Sequence, residues 1–153
     1  MSHLFFAQKA FILKDGCLLL VRKSPDDPNQ PGLWEVPGGR MDFGEDIDEH
    51  LRREVREEVG LEVVPGDPFH IWQWRVSRTA KEGYAAEWQI VAVARICLPV
   101  SGELSTSGRV EEDYLAEMEW VPFRSLENYD LIANMRPVVK AFLKKIGVGV
   151  DSQ

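Results

Sequence analysis

The sequence contains 153 residues, 44% of them hydrophobic and 28% charged, which is typical of one globular domain with a sizeable core. The net charge of −7 argues against a surface that coats nucleic acid, but it does not exclude a small phosphorylated ligand, because bound metal ions can reverse the local charge. No apolar run has the length of a membrane span or the flanks of a signal peptide, so we expect a cytoplasmic protein without a membrane partner.

Two strands are predicted at the start of the chain, over residues 7–13 and 17–22. They are joined by Asp15-Gly16, a pair typical of the type I′ hairpin turn. The basic pair Arg22 and Lys23 follows at the end of the second strand. Such a pair most often keeps the surface soluble, but it can also hold a phosphate, so Arg22 is a candidate substrate-binding residue.

A short strand is predicted over residues 33–36, after a proline-rich loop. It ends at Pro37-Gly38-Gly39, where the absence of side chains would let the backbone approach a ligand. Trp34 lies in this strand. It is interpreted first as a core residue and, as an alternative, as a platform on which a nucleobase stacks.

A helix is predicted over residues 46–59. Asp46 and Glu49 have the spacing of a capping box, and Gly60 supplies the residue that ends a helix. At about 100° per residue, the helix has a core face formed by Ile47, Leu51, Val55 and Val59.

Three acidic residues of this helix, Glu54, Glu57 and Glu58, lie within or beside the apolar face. Carboxylates gathered there repel one another and are costly to desolvate. Arg53 can reach Glu57 one turn away, but one guanidinium does not neutralise three acids. A hard divalent cation, Mg²⁺ or Mn²⁺, prefers oxygen ligands and would do so. The pattern therefore predicts a metal site.

Together these residues match a known family. Gly39, Glu45 and the run from Arg53 to Leu61, which reads REVREEVGL, resemble the Nudix box at every fixed position. The resemblance implies an α/β fold, a Nudix-like α/β/α sandwich with a mixed β-sheet. We expect a single Nudix domain over residues 1–147 and a frayed tail over residues 148–153. The implied reaction is hydrolysis of a nucleoside diphosphate linked to another group, X.

The resemblance also implies roles for individual residues. The metal ligands would be Glu54, Glu57 and Glu58 with the carbonyl of Gly38. The general base would be Glu54 or an acid of a later loop, Glu111 or Glu112. Arg53 would orient the glutamates by pairing with Glu57 or Glu45. The family commonly has small residues where this chain has His50 and Leu51, and His50 is predicted to be a partly buried packing residue.

Beyond the helix, residues 70–77 alternate, with His70, Trp72, Trp74 and Val76 on one side. We favour a wall packed under a helix, and a stacking wall for a nucleobase is the alternative. Residues 88–97 are apolar on both faces, which predicts a central strand covered on both sides. Residues 98–114 are the longest irregular stretch and the candidate lid.

The chain is predicted to end with a strand over residues 117–122, a short turn over 126–129 that Ser125 caps, and a helix that Asn134 caps and Gly147 ends. Asn134 is interpreted as this cap, with contact to a nucleobase edge as the alternative.

The substrate is less constrained than the reaction. A short chain resembles the nucleoside triphosphate pyrophosphohydrolases, and nucleotide sugars and ADP-ribose are the alternatives. A nucleotide-binding module without turnover is disfavoured by the complete set of glutamates. An allylic diphosphate isomerase would need a pocket cysteine, but the neighbours of Cys97 give it no activating partner. Cys17 and Cys97 both lie in apolar runs and are predicted to be buried thiols. Members of the family often form homodimers, so a homodimer is possible.

Overall fold

A computed structural model describes residues 2–79, 85–108 and 115–148. The strands are β1 (Ser2–Lys14), β2 (Cys17–Lys23), β3 (Trp34–Glu35), β4 (Gly38–Arg40), β5 (Leu61–Thr79), β6 (Ala85–Gly102) and β7 (Leu115–Pro122). The α-helices are α1 (Ile47–Val59) and α2 (Arg136–Ile146), and two 3₁₀ helices cover Phe123–Asn128 and Ala133–Met135.

The strands form one mixed sheet of seven strands in the order β3-β2-β1-β6-β5, with β4 added to β1 and β7 to β2. Strand β1 runs parallel to β6 and antiparallel to β2 and β4. In the β1–β4 pair, Gln8 lies opposite Gly39 and Lys9 opposite Gly38. The glycines that precede α1 are therefore fixed against the middle of β1.

The two α-helices cover opposite faces of the sheet. Successive side chains of a strand point to opposite faces, so Leu19 and Val21 pack with α1 while Leu18 and Leu20 pack with α2. The buried side chains of α1 are His50, Leu51, Val55, Glu58 and Val59, and those of α2 are Val138, Val139, Phe142 and Leu143. The predicted α/β/α sandwich with a mixed sheet is confirmed.

Local signals predicted the hairpin and α1 correctly. Asp15 and Gly16 both have positive φ, 50° and 77°, as a type I′ turn requires. Asp46 accepts hydrogen bonds from the backbone N–H groups of Asp48 and Glu49, and Gly60 ends α1 with φ of 80°. The Glu49 side chain pairs with Arg52 instead of completing a capping box. Ile47 is 52% exposed, so the core face of α1 starts later than predicted.

The predicted lid is partly wrong, because residues 98–102 continue strand β6 and pair with β5, where Gly102 lies opposite Leu61. Glu111 and Glu112 lie outside the described residues. Strand β6 is central between β1 and β5, as predicted. Its Val91 and Val93 are only half-buried, so the prediction that both faces are covered is wrong there.

The C-terminal caps are also corrected. Asn134 lies inside the 3₁₀ helix Ala133–Met135, and no side chain caps α2, which has a proline in its first turn. Ser125 likewise lies inside Phe123–Asn128, which begins after Pro122 without a side-chain cap. Gly147 ends α2 with φ of 79°, as predicted.

The end of the described chain is held in place. The Val148 amide donates to the carbonyl of Leu143, and its side chain packs on the core, whereas residues 149–153 lie outside the described part. Cys97 is buried as predicted, but Cys17 is only half-buried. Within the described ranges, no helix is long and apolar enough to cross a membrane.

Candidate active site

A cavity of about 720 Å³ opens where β1, β4 and α1 meet the paired strands β5 and β6. Its wall combines three kinds of group. The first is the backbone of Gly38 and Gly39 with the carboxylates of Glu54 and Glu58. The others are the cations Lys9, Lys23, Arg40 and Arg53, and the apolar side chains Phe5, Trp74, Val76, Trp88 and Ile90. Such a mixture suits a ligand with a charged part and an aromatic part.

Glu54 and Glu58 lie one turn apart on α1 and face the same wall of the cavity. Glu58 is 6% exposed, and its carboxylate accepts a hydrogen bond from the Gly38 amide at 3.3 Å. A Cβ atom on Gly39 would lie 2.8 Å from the nearer Glu54 oxygen. The absence of a side chain at Gly39 is what lets strand β4 approach the helix this closely.

The environment of the Glu54 carboxyl group disfavours its ionised form. Burial raises the pKa of Glu54, and the nearby Arg53 charge opposes that rise only in part. The neighbouring Glu58 side chain also lowers the pKa of Glu54, but by less than burial raises it. A bound cation would offset this cost of burial and favour the ionised form of Glu54.

Arg53 lies at the centre of an acidic network. Its guanidinium donates two hydrogen bonds to Glu45, at 2.7 and 2.9 Å, and a third to Glu57 at 3.2 Å. The Glu54 oxygen is 3.5 Å away. The hydrogen bonds from Arg53 and from the Asp42 amide lower the pKa of Glu45 to about 2. Arg53 is thus placed against both partners that the sequence offered, and it ties the loop before α1 to the helix.

Glu57 differs from the other two acids. Its side chain is 38% exposed, pairs with Arg53 and does not line the cavity. In the part of the chain that the structure describes, no three acidic, histidine or cysteine side chains converge in a metal-binding arrangement. Glu54, Glu58 and the Gly38 backbone still form a compact set of oxygen donors, and that chemistry fits a hard divalent cation.

A buried ion-pair triad contributes the cationic wall. Glu35 is 7% exposed and contacts Lys9 at 2.7 Å and Lys23 at 3.0 Å. Burial alone would raise the pKa of Glu35, but the two lysine charges lower it to about 2. Two cations share one anion, so the triad itself carries a net positive charge. Lys9 and Glu35 were not predicted as site residues, although each is a charged residue inside a predicted apolar strand, a signal that could have identified them.

The aromatic wall is split between core and cavity. Trp72 packs in the core under α2, as favoured from the sequence, whereas Trp74 and Val76 line the cavity. Trp88 on β6 completes this wall, and the Arg40 guanidinium lies 4.8 Å from its ring centre and 4.4 Å from that of Phe5. Of the four alternating residues, Trp74 and Val76 lie where the stacking alternative would place its wall, and that role stays a prediction.

The three predicted substrate-binding residues lie outside the cavity. Arg22 donates to the Gly32 carbonyl at 2.9 Å and to Glu117 at 3.0 Å. Trp34 is 8% exposed and packs edge-on against Tyr129. Asn134 lies in the 3₁₀ helix before α2 and is half-buried there. None of them lines the cavity, and we leave them out of the candidate site.

Comparison with known proteins decides the family. The family model described as NUDIX domain matches residues 7–142. The chain belongs to the Nudix family. As a Nudix hydrolase, it acts on phosphorus-containing anhydrides, and the family generally needs a divalent metal. The Nudix box spans β4, the loop that Arg53 anchors, α1 and the start of β5.

Individual Nudix proteins resemble the chain over most of its length. The nucleoside triphosphatase NudI of Salmonella schwarzengrund (strain CVM19633) is 31% identical over 123 residues, which cover 78% of this chain and 83% of the relative. The structure of a MutT protein from Methanosarcina mazei Go1 has a TM-score of 0.69 and 25% identity, covering 95% of this chain and 96% of that one. A Nudix hydrolase from Nitrosomonas europaea has a TM-score of 0.70 at 19% identity, covers 94% of this chain and 88% of its own, and supports the fold alone.

Proposed function

We propose that this Nudix hydrolase is a nucleoside triphosphate pyrophosphohydrolase, which uses water to break a phosphoanhydride bond and release a nucleoside monophosphate and pyrophosphate. The observation that carries the proposal is the Glu54–Glu58 pair, held against Gly38 and Gly39 in a cavity that also has cationic and aromatic walls. Similarity to a relative named nucleoside triphosphatase supports the triphosphate as substrate.

Glu54, Glu58 and the carbonyl of Gly38 would hold Mg²⁺ or Mn²⁺, with Glu57 as the further ligand that the Nudix box implies. When bound, a divalent cation neutralises phosphate oxygens and lowers the pKa of a bound water. Arg53 keeps the helix acids in place through its contacts with Glu45 and Glu57. To bind Glu57, the metal would have to compete with Arg53 for the Glu57 carboxylate.

A carboxylate must accept the proton of the attacking water. Among the described residues, Glu54 suits this role because it faces the cavity and burial raises its pKa. A proton acceptor whose pKa is nearer to neutral holds the transferred proton better than an ordinary glutamate does. Glu112, with Glu111, remains the alternative base from the loop outside the described part of the chain.

The remaining walls would bind the rest of the nucleotide. Lys9 and Lys23, fixed by Glu35, offer two ammonium groups to phosphate oxygens that no metal contacts. Trp74 and Trp88 offer ring faces on which a base can stack. Arg40 already stacks on Trp88, so an incoming base would share or displace that contact.

The test is turnover of a substrate panel by the purified protein. The panel contains the nucleoside triphosphates, nucleotide sugars and ADP-ribose, each with EDTA, Mg²⁺ or Mn²⁺, and kcat/KM is compared. We expect metal-dependent release of pyrophosphate, with triphosphates as the best substrates. Preference for a sugar nucleotide or ADP-ribose would replace the substrate assignment, and binding of nucleotides without turnover would identify a binding module.

Variants of α1 connect the activity to the site. We expect Glu58→Gln and Glu57→Gln each to lower kcat by at least about 10- to 100-fold, because an amide is a weaker metal ligand than a carboxylate. Glu49→Gln is the matched control, since Glu49 is on the same helix, is exposed and pairs with Arg52 away from the cavity. Full turnover by Glu58→Gln would defeat the assignment.

A further inference from the structure

His50 is a polar residue in a fully buried position. Its exposed fraction is 0%, and it lies on the face of α1 that packs on the sheet. The sequence predicted a partly buried packing residue, but the ring makes polar contacts. It lies between Gln8 on β1 and Glu54 on the next turn of its own helix. Because buried imidazoles usually have partners for both nitrogens, the contacts of each nitrogen are informative.

The orientation of the Gln8 amide determines which nitrogen of His50 carries the proton. The Gln8 oxygen accepts from Arg95 at 3.2 Å, and the Gln8 nitrogen donates to the carbonyl of Ile47 at 2.7 Å. The same nitrogen lies 2.8 Å from His50 Nδ1. Since this nitrogen can only donate, Nδ1 accepts and carries no proton. A neutral His50 ring must then carry its proton on Nε2.

The Nε2–H group lies near one of the helix acids, Glu54. His50 Nε2 is buried and has no hydrogen-bond partner within the described residues. The nearest carboxylate oxygen is Glu54 Oε1, 3.8 Å away, which exceeds a hydrogen-bond length by less than about 1 Å. Polar contacts with the backbone of Gly39 and Arg40 favour a protonated ring, but burial has the larger effect on the pKa of His50. Burial lowers the pKa of His50, which agrees with a neutral ring.

We propose that His50 is a positioning residue that uses its Nε2–H to hold the Glu54 carboxylate toward the cavity. Glu54 is confined on its other sides by the Gly39 backbone, Arg53 and Glu58. The His50 Nε2–H donor on the remaining side would fix the Glu54 rotamer in which the carboxylate oxygens face the cavity. The role of Glu54 in catalysis rests on the proposed function, whereas the contact between His50 and Glu54 does not.

Two amide variants separate positioning from packing. In His50→Gln the side-chain amide reaches the place of Nε2 and keeps a donor for Glu54. In His50→Asn the shorter amide reaches only the place of Nδ1 and keeps the contact with Gln8. His50→Leu removes both. We expect Leu and Asn to lower kcat by about 10- to 100-fold with KM changed less than about threefold, and Gln to recover most of kcat. Equal losses in all three variants, or a wild-type kcat for His50→Leu, would overturn the proposal.

Nuclear magnetic resonance of the ring nitrogens tests the contact without turnover. The chain has three histidines, His3, His50 and His70, so protein labelled with ¹⁵N-histidine gives few signals, and His50→Gln identifies the one from His50. We expect the neutral Nε2–H tautomer, with a shift that changes in Glu54→Gln and stays constant in Glu49→Gln. A proton on Nδ1, or a signal indifferent to Glu54, would overturn the proposal. If no panel substrate is hydrolysed, the proposed function fails while this measurement still decides the contact.

Discussion

The Gly38 amide donates to both oxygens of the Glu58 carboxylate, at 3.4 and 3.3 Å, so a shared hydrogen bond joins strand β4 to helix α1 across the wall of the cavity. The carboxylate and the glycine backbone are both proposed metal ligands, and this bond keeps them adjacent before any ligand arrives. The same contact makes Glu58 part of the fold, because a buried acid with a backbone donor costs less to desolvate than an unpaired one.

Substituting Gly39 should impair activity more than stability. A Cβ atom in Gly39→Ala would lie 2.8–2.9 Å from the Glu54 carboxyl group. The flexible Glu54 side chain can avoid this clash, but only by moving its carboxyl group out of its position in the site. We expect kcat to fall by about 10-fold or more while the free energy of unfolding falls by about 1 kcal/mol.

Gly38→Ala is the contrasting variant, since its Cβ would meet the Gln8 carbonyl oxygen at 2.2 Å at a φ of 148°. Backbone cannot move as a side chain does, so we expect a larger loss of stability, about 2–4 kcal/mol. Thermal denaturation and kcat, measured for both variants, check the pair. Equal effects on stability would contradict this account of the two glycines.

Arg53 should not be replaceable by lysine. Its fork donates to Glu45 twice and to Glu57 once, and an ammonium group cannot reproduce this planar arrangement. We expect Arg53→Lys to lower kcat by about 10- to 100-fold, as for other residues that orient metal ligands. Arg52→Lys, which loses only an exposed pair with Glu49, should have kcat near that of the wild type. A wild-type kcat for Arg53→Lys would show that charge alone suffices.

The parts of the site that could be predicted from the sequence are local in the chain. Helix α1, its cap at Asp46 and its end at Gly60 all depend on residues within a few positions of one another. The spacing of Glu54 and Glu58 on one face follows from the helical repeat. Similarly, the Asp15-Gly16 turn determines the first hairpin.

The opposite walls depend on pairings that are distant in sequence. Phe5 and Trp88 meet because β1 runs parallel to β6, where Phe5 lies opposite Ile90. Lys9 meets Glu35 because β4 pairs with β1 while β3, which carries Glu35, pairs with the neighbouring β2. No periodicity within a strand determines which strand lies beside it. The charged residues in these apolar strands therefore indicate that buried ion pairs form there, but the sequence does not identify which residues pair.

The misplaced C-terminal cap has a different physical cause. Asn134 has the residue type of a cap, but Pro137 occupies the first turn of α2. Proline suits the start of a helix, because the amide it lacks has no partner there. The observed start of α2 therefore matches the position of Pro137 and not the preference of asparagine for the N-cap position.

The aromatic wall should affect substrate binding more than turnover. Stacking of a base on an aromatic side chain contributes about 1–3 kcal/mol, so we expect Trp74→Leu to raise KM for a triphosphate by about 5- to 100-fold with little change in kcat. Trp120→Leu is the control, since Trp120 packs beside the α1 core and outside the cavity. If the two variants raise KM equally, the wall does not bind the base.

The Glu35 triad should make stability depend on pH in a defined window. Burial opposes ionisation of Glu35, but Lys9 and Lys23 lower its pKa in the folded protein to about 2, against 4.5 for a glutamate without such partners. A depressed pKa stabilises the fold fully above 4.5 and progressively less as the pH falls towards 2. We therefore expect wild type to exceed Glu35→Gln in the free energy of unfolding by an amount on the order of 3 kcal/mol at pH 7. The difference should shrink steadily below pH 4.5.

Denaturant unfolding of both proteins between pH 7 and pH 2.5 measures this difference. The control is Glu127→Gln, an exposed substitution that should cost little at any pH. A difference for Glu35→Gln that stays constant down to the lowest pH would mean that its cost comes from packing and not from the charge shared with the two lysines.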